Sequence, residues 1–266
     1  MMWRLTRSSR PGTAHVANAL PCQDSNLAHV FRDGNDDEVL VMIVSDGAGS
    51  ASHSHVGSSI ICETVSGEIH EFLSRGGRLA DVTRSEVEEW LAGVVEAVTT
   101  HAECNDLTAR DLAGTCLGCI VGPTVTVCFQ VGDGAIVVDD PEREFVPVFW
   151  PQRGEYANTT VFLCDEAAIA QAEFVILSRG VERVAVFSDG LQMVALHYAS
   201  KSAHAPFFEG LFATLEMQPS GESEGLNWAL DDVLDRKSIT DRTDDDRTLV
   251  LASRRASESP ASANGS

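Results

Sequence analysis

Apolar residues along the chain fall into short runs that end abruptly on aspartate and longer stretches in which they recur at helical spacing. "EVLVMIVS", residues 38–45, is apolar at nearly every position and reads as a buried strand. "HVGSSIICETVSGEIHEFLSRGG", residues 55–77, reads as a helix stopped by Gly76 and Gly77. A second helix is predicted over "TRSEVEEWLAGVVEAVTTHAE", where Thr83 and Glu86 have the spacing of a capping box and Val87, Trp90, Leu91, Val94, Val95 and Val98 share one face. "GTCLGCIVGPTVTVCFQVGDGAIVVDD" then reads as three short strands in an antiparallel meander, broken at Gly122-Pro123 and at Gly132-Asp133-Gly134. Two helices are expected before the last strand, in the region from about "GLQMVALHYAS" to "LNWALDDVL".

The order is strand, two helices, a strand meander, more strands, helices and a final strand, without regular βαβ alternation. Antiparallel sheets with helices packed outside follow more naturally from it than a doubly wound parallel sheet. No Pro/Gly/Ser-rich linker divides the 266 residues, so residues 1–253 are expected to form one domain. The small polar tail 254–266, "RASESPASANGS" at its end, is expected to be disordered.

The strand ends carry the chemistry. Asp46-Gly47 closes the first buried run, Asp133-Gly134 separates two β-branched runs, and Asp189-Gly190 closes "VERVAVFSDG". Asp244, Asp245 and Asp246 stand immediately before the last strand, and Gln23 and Asp24 precede "SNLAHVF". Turns use Asp and Gly readily, but turns alone do not require an aspartate at each of these ends. If Asp24, Asp46, Asp133, Asp189 and Asp245 converge, their mutual repulsion makes sense only with cations among them. All-oxygen ligation favours Mg²⁺ or Mn²⁺ over zinc. Two such ions about 3.5–4 Å apart can share a water and direct it at phosphorus.

Composition narrows the remaining classes. The net charge of -21 disfavours a nucleic-acid partner. No apolar run of membrane-spanning length and no apolar signal core at the N-terminus is present, so a soluble cytoplasmic protein without membrane association is expected. The seven cysteines are odd in number, and Cys116, Cys119 and Cys128 sit in apolar runs, which suits buried reduced thiols. Cys116 and Cys119 could suggest zinc or redox chemistry, but their spacing on a strand separates the two thiols.

The blocks "PCQDS", "VSDGAGS", "GTCLGCIV", "VGDGAIVV", "FSDGL" and "DDRTLVLAS" resemble, in order and spacing over residues 10–253, the metal-dependent protein phosphatases, or type 2C serine/threonine phosphatases, in a bacterial-type subgroup. The resemblance implies an α+β fold, a four-layer α-β-β-α sandwich with two central, mainly antiparallel sheets flanked by helices. It implies hydrolysis of phosphoserine or phosphothreonine in a phosphorylated protein substrate, by a water bridging two Mn²⁺ or Mg²⁺ ions with a third in reserve. A cognate Ser/Thr kinase, a signalling role and a monomeric state are the corresponding expectations.

Carried over residue by residue, Asp46 resembles the carboxylate bridging both metals, with the Gly47 carbonyl on the second. Asp189 and Asp245 resemble ligands of the first metal, and Asp133 the support of a third. Gln23 stands where the family often has Glu, and Asp24 resembles its outer partner. Two positions depart from the pattern: Ala48 replaces a His or Met, and Ala19 replaces the arginine that holds substrate phosphate. His15 is a candidate replacement, since a protonated imidazole donates to phosphate. His53 and His55 are candidates for the acid, and Arg153 and Glu155, in a flap-like block "WPQRGEYANTTVFL", for recognition. The two missing family residues leave open an alternative, a catalytically weak phosphatase-like module that binds a phosphoprotein or signalling partner.

Overall fold

A computed structural model of the chain describes residues 2–142, 144–151 and 160–255. Strand β1 (Arg4–Arg10) and the short helix α1 (Thr13–Ala17) lead into the hairpin of β2 (Ser25–Arg32) and β3 (Glu38–Ser45). Two long helices follow, α2 (Ser54–Ser74) and α3 (Arg84–Cys104). The capping box forms, with the Thr83 N–H donating to the Glu86 carboxylate at 2.9 Å. Strands β4 (Cys116–Val121), β5 (Thr126–Val131), β6 (Ala135–Asp140), β7 (Glu144–Pro147), β8 (Glu173–Leu177) and β9 (Arg183–Phe187) come next. The C-terminal part contains α4 (Gln192–Ala195), the small hairpin β10 (Leu196–His197) and β11 (Ser202–Ala203), α5 (Ala205–Glu216), β12 (Gly221–Glu222), α6 (Glu224–Leu234), α7 (Lys237–Thr240) and β13 (Arg247–Ser253).

Two sheets face each other, one in the order β2-β3-β4-β5-β8 and the other β12-β1-β13-β9-β6-β7. All their pairings are antiparallel except the edge contact of β12 with β1. Side chains alternate across each strand, so β3 sends Leu40, Met42 and Val44 between the sheets and Val41 and Ile43 toward α2 and α3. On the other side Phe187 and Leu249 pack under Phe208, Phe212, Leu230 and Leu234 of α5 and α6. The fold is therefore an α+β, four-layer α-β-β-α sandwich. Burial on both faces explains why β3 reads as an unbroken apolar run. At roughly 1.5–3 kcal/mol for each large apolar side chain fully buried, these three cores dominate the stability.

Two parts of the sequence reading are corrected. The expected three-strand meander breaks after β5, because β6 pairs with β7 and β9 in the opposite sheet. Gly132, at φ +112°, turns the chain across the gap, a conformation that a side chain would resist. The helical region before the last strand is also arranged differently. "GLQMVALHYAS" gives only the single turn α4 and the β10 strand, whereas the first full helix is "APFFEGLFATLE", with Pro206 in its first turn. Leu196 pairs with Ala203 in the small hairpin, and that pairing ends the earlier helical turn.

Candidate active site

Sheet register brings the aspartate-bearing ends to one pole of the sandwich. Ser25 pairs with Ser45, so Asp24 and Asp46, the residues just outside this pair, are neighbours at the same edge of their sheet. In the facing sheet Phe187 pairs with both Ala135 and Leu249. Asp133 lies two residues before Ala135, Asp189 two after Phe187, and Asp245 shortly before β13 begins.

A buried apolar strand does not fix its own register, because a slip exposes nothing that was hidden. Polar contacts at the β3 end supply the missing specification. Ser45 Oγ donates to the Thr115 carbonyl at 2.7 Å, the Asp46 N–H donates to Thr115 Oγ1 at 2.9 Å, and the Thr115 N–H returns to the Asp46 carbonyl at 2.8 Å. Across the sandwich, Ser188 Oγ accepts the Thr248 N–H at 3.0 Å and donates to Asp24 Oδ2 at 2.7 Å, joining the two sheets at the site. Thr160 Oγ1 donates to Asp133 Oδ2 at 2.8 Å, and the Gln192 side-chain amide donates to the Asp133 carbonyl. Gly47 is required by close approach, since a Cβ there would lie 2.5 Å from the Gln23 carbonyl oxygen.

These carboxyls hold protons more tightly than ordinary aspartates. Burial, outweighing the hydrogen bonds from Ser188 and Thr248, raises Asp24 to about 7. Burial raises Asp189 to about 7, with the charges of Asp133 and Asp245 adding to it. Asp46 is pushed well above the usual range, first by burial and then by the charges of Asp24, Asp189 and Asp245. Asp133 is raised by burial, and Asp245, at the solvent-facing rim, by partial burial and then Asp246. Asp46, Asp189 and Asp245 thus lie near enough to act on one another's charge, as do Asp24 with Asp46 and Asp133 with Asp189.

The oxygen chemistry suits a hard divalent cation. Gln23 Oε1, Asp24 Oδ1 and Asp189 Oδ1 are buried without a hydrogen-bond partner among the described residues, so acceptors stand ready for a positive charge. Among those residues no group of three or more His, Cys, Asp or Glu side chains is already disposed as a finished metal site. Asp46 and Asp189 lie close enough that the Asp189 charge raises the proton affinity of Asp46, a repulsion that a cation between them would relieve.

His15 is brought beside the same cluster, where its Nδ1 is 2.7 Å from Oδ1 of Asp246, the residue next to Asp245. Asp246, only 2 % exposed, also accepts the Gly12 N–H at 2.6 Å and the Gln23 N–H at 2.5 Å. His53 and His55 lie at the start of α2, where Ser52 Oγ meets His53 Nδ1 at 2.8 Å and donates to Asp111 Oδ1 at 2.9 Å. Arg153 and Glu155 lie outside the described residues. Ala48 is buried and Ala19 is exposed at φ +53°. Cys116 and Cys119 point into different cores, on opposite faces of β4. Ser188, Thr160 and Gln192 were given no role by the sequence, and Asp246 stood only as one of the run Asp244–Asp246; the serine between Phe187 and Asp189, a polar residue closing an apolar run, was the one local signal.

With fold and cluster described, the relatives are informative. The family described as Protein phosphatase 2C matches residues 11–235. Serine/threonine-protein phosphatase 3 of Escherichia coli (strain K12) is 34 % identical over 254 residues, covering 95 % of this chain and 98 % of that protein. Among solved structures, the serine/threonine phosphatase Stp1 of Staphylococcus aureus superposes with a TM-score of 0.57 at 16 % identity, covering 96 % of each chain. The catalytic domain of the phosphatase PstP, solved in complex with two manganese ions, gives 0.60 at 12 % identity, covering 95 % of this chain and 98 % of that one. The chain belongs to the protein phosphatase 2C family and is a phosphatase.

Proposed function

We propose that the chain is a Mn²⁺- or Mg²⁺-dependent protein phosphatase acting on phosphoserine and phosphothreonine. The observation that carries this reading is the convergence of five strand-end carboxylates with raised proton affinity and unpartnered buried oxygens. Such a cluster is costly by itself and fits a function that places divalent cations there. The E. coli relative named a serine/threonine-protein phosphatase and the manganese in the PstP structure support the substrate class and the metal.

Asp46, the Gly47 carbonyl, Asp189 and Asp245 would hold the two ions, with Asp24 behind them and Asp133 serving a third. Bound divalent ions supply activation of water for attack on phosphorus and neutralise the charge that develops on the phosphoryl oxygens. Asp46 and Asp189 would hold the cations as carboxylates, their raised proton affinity offset by the bound charge. Ser188 keeps Asp24 oriented throughout by its hydrogen bond. His15 presents a donor to the substrate phosphate in place of the arginine absent at Ala19. Cys22 is unsuited to act as a nucleophile, because burial and the charges of Asp24 and Asp246 push its thiol well up. Residues 1–253 would act as one phosphatase domain, a cytoplasmic monomer that opposes a Ser/Thr kinase. Among the described residues no helix is long and apolar enough to cross a membrane.

The test is phosphate release from a chromogenic ester and from phosphoserine and phosphothreonine peptides, with Mn²⁺, with Mg²⁺ and after chelation. Release that needs the metal and extends to the peptides supports the reading. Binding of a phosphopeptide without turnover in any metal would instead make the chain a phosphoprotein-binding module.

A further inference from the structure

Asp246 belongs to none of the roles assigned above, yet it is the most deeply buried carboxylate at the site and spends both oxygens on the N-terminal segment. Oδ1 receives the Gly12 N–H and His15 Nδ1, and Oδ2 receives the Gln23 N–H. The three contacts bracket the loop that carries α1, from just before the helix to the residue preceding Asp24. The loop is also pinned by its backbone, since the Ala14 N–H donates to the Asp244 carbonyl at 3.1 Å.

We propose that Asp246 is a positioning residue that holds His15 by Nδ1, so that Nε2 is the ring nitrogen presented to the substrate phosphate. The proposal rests on the phosphatase reading above. A side-chain carboxylate only accepts hydrogen bonds, so Nδ1 keeps its proton and the tautomer is fixed. Nε2 makes no hydrogen bond among the described residues. With its proton on Nδ1 alone the ring would offer phosphate only a lone pair, so the contact requires the imidazolium form, whose Nε2–H donates to a phosphate oxygen as a charge-assisted bond of the kind an arginine makes. His15 is only 13 % exposed in its side chain, so the ring is held beside the cluster and not free to swing in solvent. The arrangement accounts for alanine at position 19: the donor comes from the other end of the loop and is fixed by Asp246, the residue next to Asp245 just before β13.

A merely structural Asp246 would tie down the loop without acting through His15, and a double-mutant cycle separates the two. His15→Ala, Asp246→Asn and the double variant are compared by steady-state kinetics on a phosphoserine peptide with saturating Mn²⁺, together with Mn²⁺ affinity by calorimetry. Loss of a hydrogen bond to a charged group is expected to cost about tenfold or more in kcat/KM for each single variant, mostly through KM. The double variant should fall no further than the worse single variant, because both act on one contact. Mn²⁺ affinity should stay near wild type in all three. Multiplying effects in the double variant, or Mn²⁺ binding lost with Asp246→Asn, would overturn the proposal. Should Asp246→Asn fail to fold, ¹⁵N NMR of the wild-type histidines with inorganic phosphate bound still decides: a His15 ring carrying protons on both Nδ1 and Nε2 supports it, and a ring lacking either proton in that complex refutes it. A wild-type protein without Mn²⁺-dependent turnover would reject the underlying phosphatase reading instead, a result distinct from either of these.

Discussion

Ser188 Oγ donates to Asp24 Oδ2 at 2.7 Å while accepting the Thr248 N–H at 3.0 Å, so one buried hydroxyl ties the start of β2 to β9 and β13 across the sandwich. Ser188→Ala removes both contacts and leaves a carboxyl and an amide N–H buried without this partner. A stability loss of about 1–3 kcal/mol is expected. Chemical denaturation with the metal chelated measures it, and an unchanged midpoint would show that the hydroxyl is replaceable by solvent.

The metal-free chain should lose stability as pH rises. Asp24 and Asp189 sit at about 7 when folded, against about 4 for an unfolded aspartate, so the folded state binds their protons more tightly. That contribution is fully present below about 4 and is lost as pH rises through about 7. Calorimetry in chelator should show Tm falling between about pH 4 and pH 7 from these groups. Added Mn²⁺ should raise Tm more at the upper end, where the carboxylates are free to bind it. A metal-free Tm that climbs across that window would contradict the cluster's electrostatics.

Asp46→Asn should separate stability from function. Removing this charge relieves the repulsion from Asp24, Asp189 and Asp245, so the metal-free protein at mildly alkaline pH should melt higher than wild type. Turnover should fall by more than the roughly 10–100-fold that loss of a residue behind a metal ligand costs. Paired melting and kinetic measurements check both signs, and near-normal kcat would remove Asp46 from the metal site.

Gly47→Ala forces a methyl group to within 2.5 Å of the Gln23 carbonyl oxygen and 2.8 Å of Ser54 Cβ. Neither neighbour is a flexible side-chain tip, so the segment carrying Gln23 and Asp24 must move. A cost of about 1–3 kcal/mol is expected, with activity falling alongside. Thermal melting and ester hydrolysis of this variant provide the measurement, and wild-type values in both would mean that the loop gives way freely.

Cys22→Ser should retain turnover, because a thiol held protonated by burial and two flanking aspartates supplies little thiolate. The same reasoning predicts that thiol alkylation leaves turnover intact. Metal-dependent activity abolished by the serine substitution would assign the sulfur a role that its surroundings argue against.

Strand ends and long helices were legible in the sequence because their signals are local. The runs 38–45 and 183–187 are apolar until they reach Ser45-Asp46 and Ser188-Asp189, and the Thr83–Glu86 spacing marked the start of α3. Family blocks supplied the four-layer architecture and the five aspartates in order. What local pattern left open was partnership. The runs flanking Asp133 look like neighbouring strands of a meander, and only the crossing at Gly132 places β6 in the opposite sheet, with Asp133 between them. Likewise nothing in "TDDDRTLVLAS" distinguishes Asp245 from Asp246 by physics alone. Tertiary structure divides them, leaving Asp245 exposed and within range of the charges of Asp46 and Asp189 while burying Asp246 against Gly12, His15 and Gln23. Sequence thus determined which residues end strands, since that depends on neighbours a few positions away. Which ends meet was decided by sheet register and by hydrogen bonds between segments more than two hundred residues apart, such as Gln23 with Asp246.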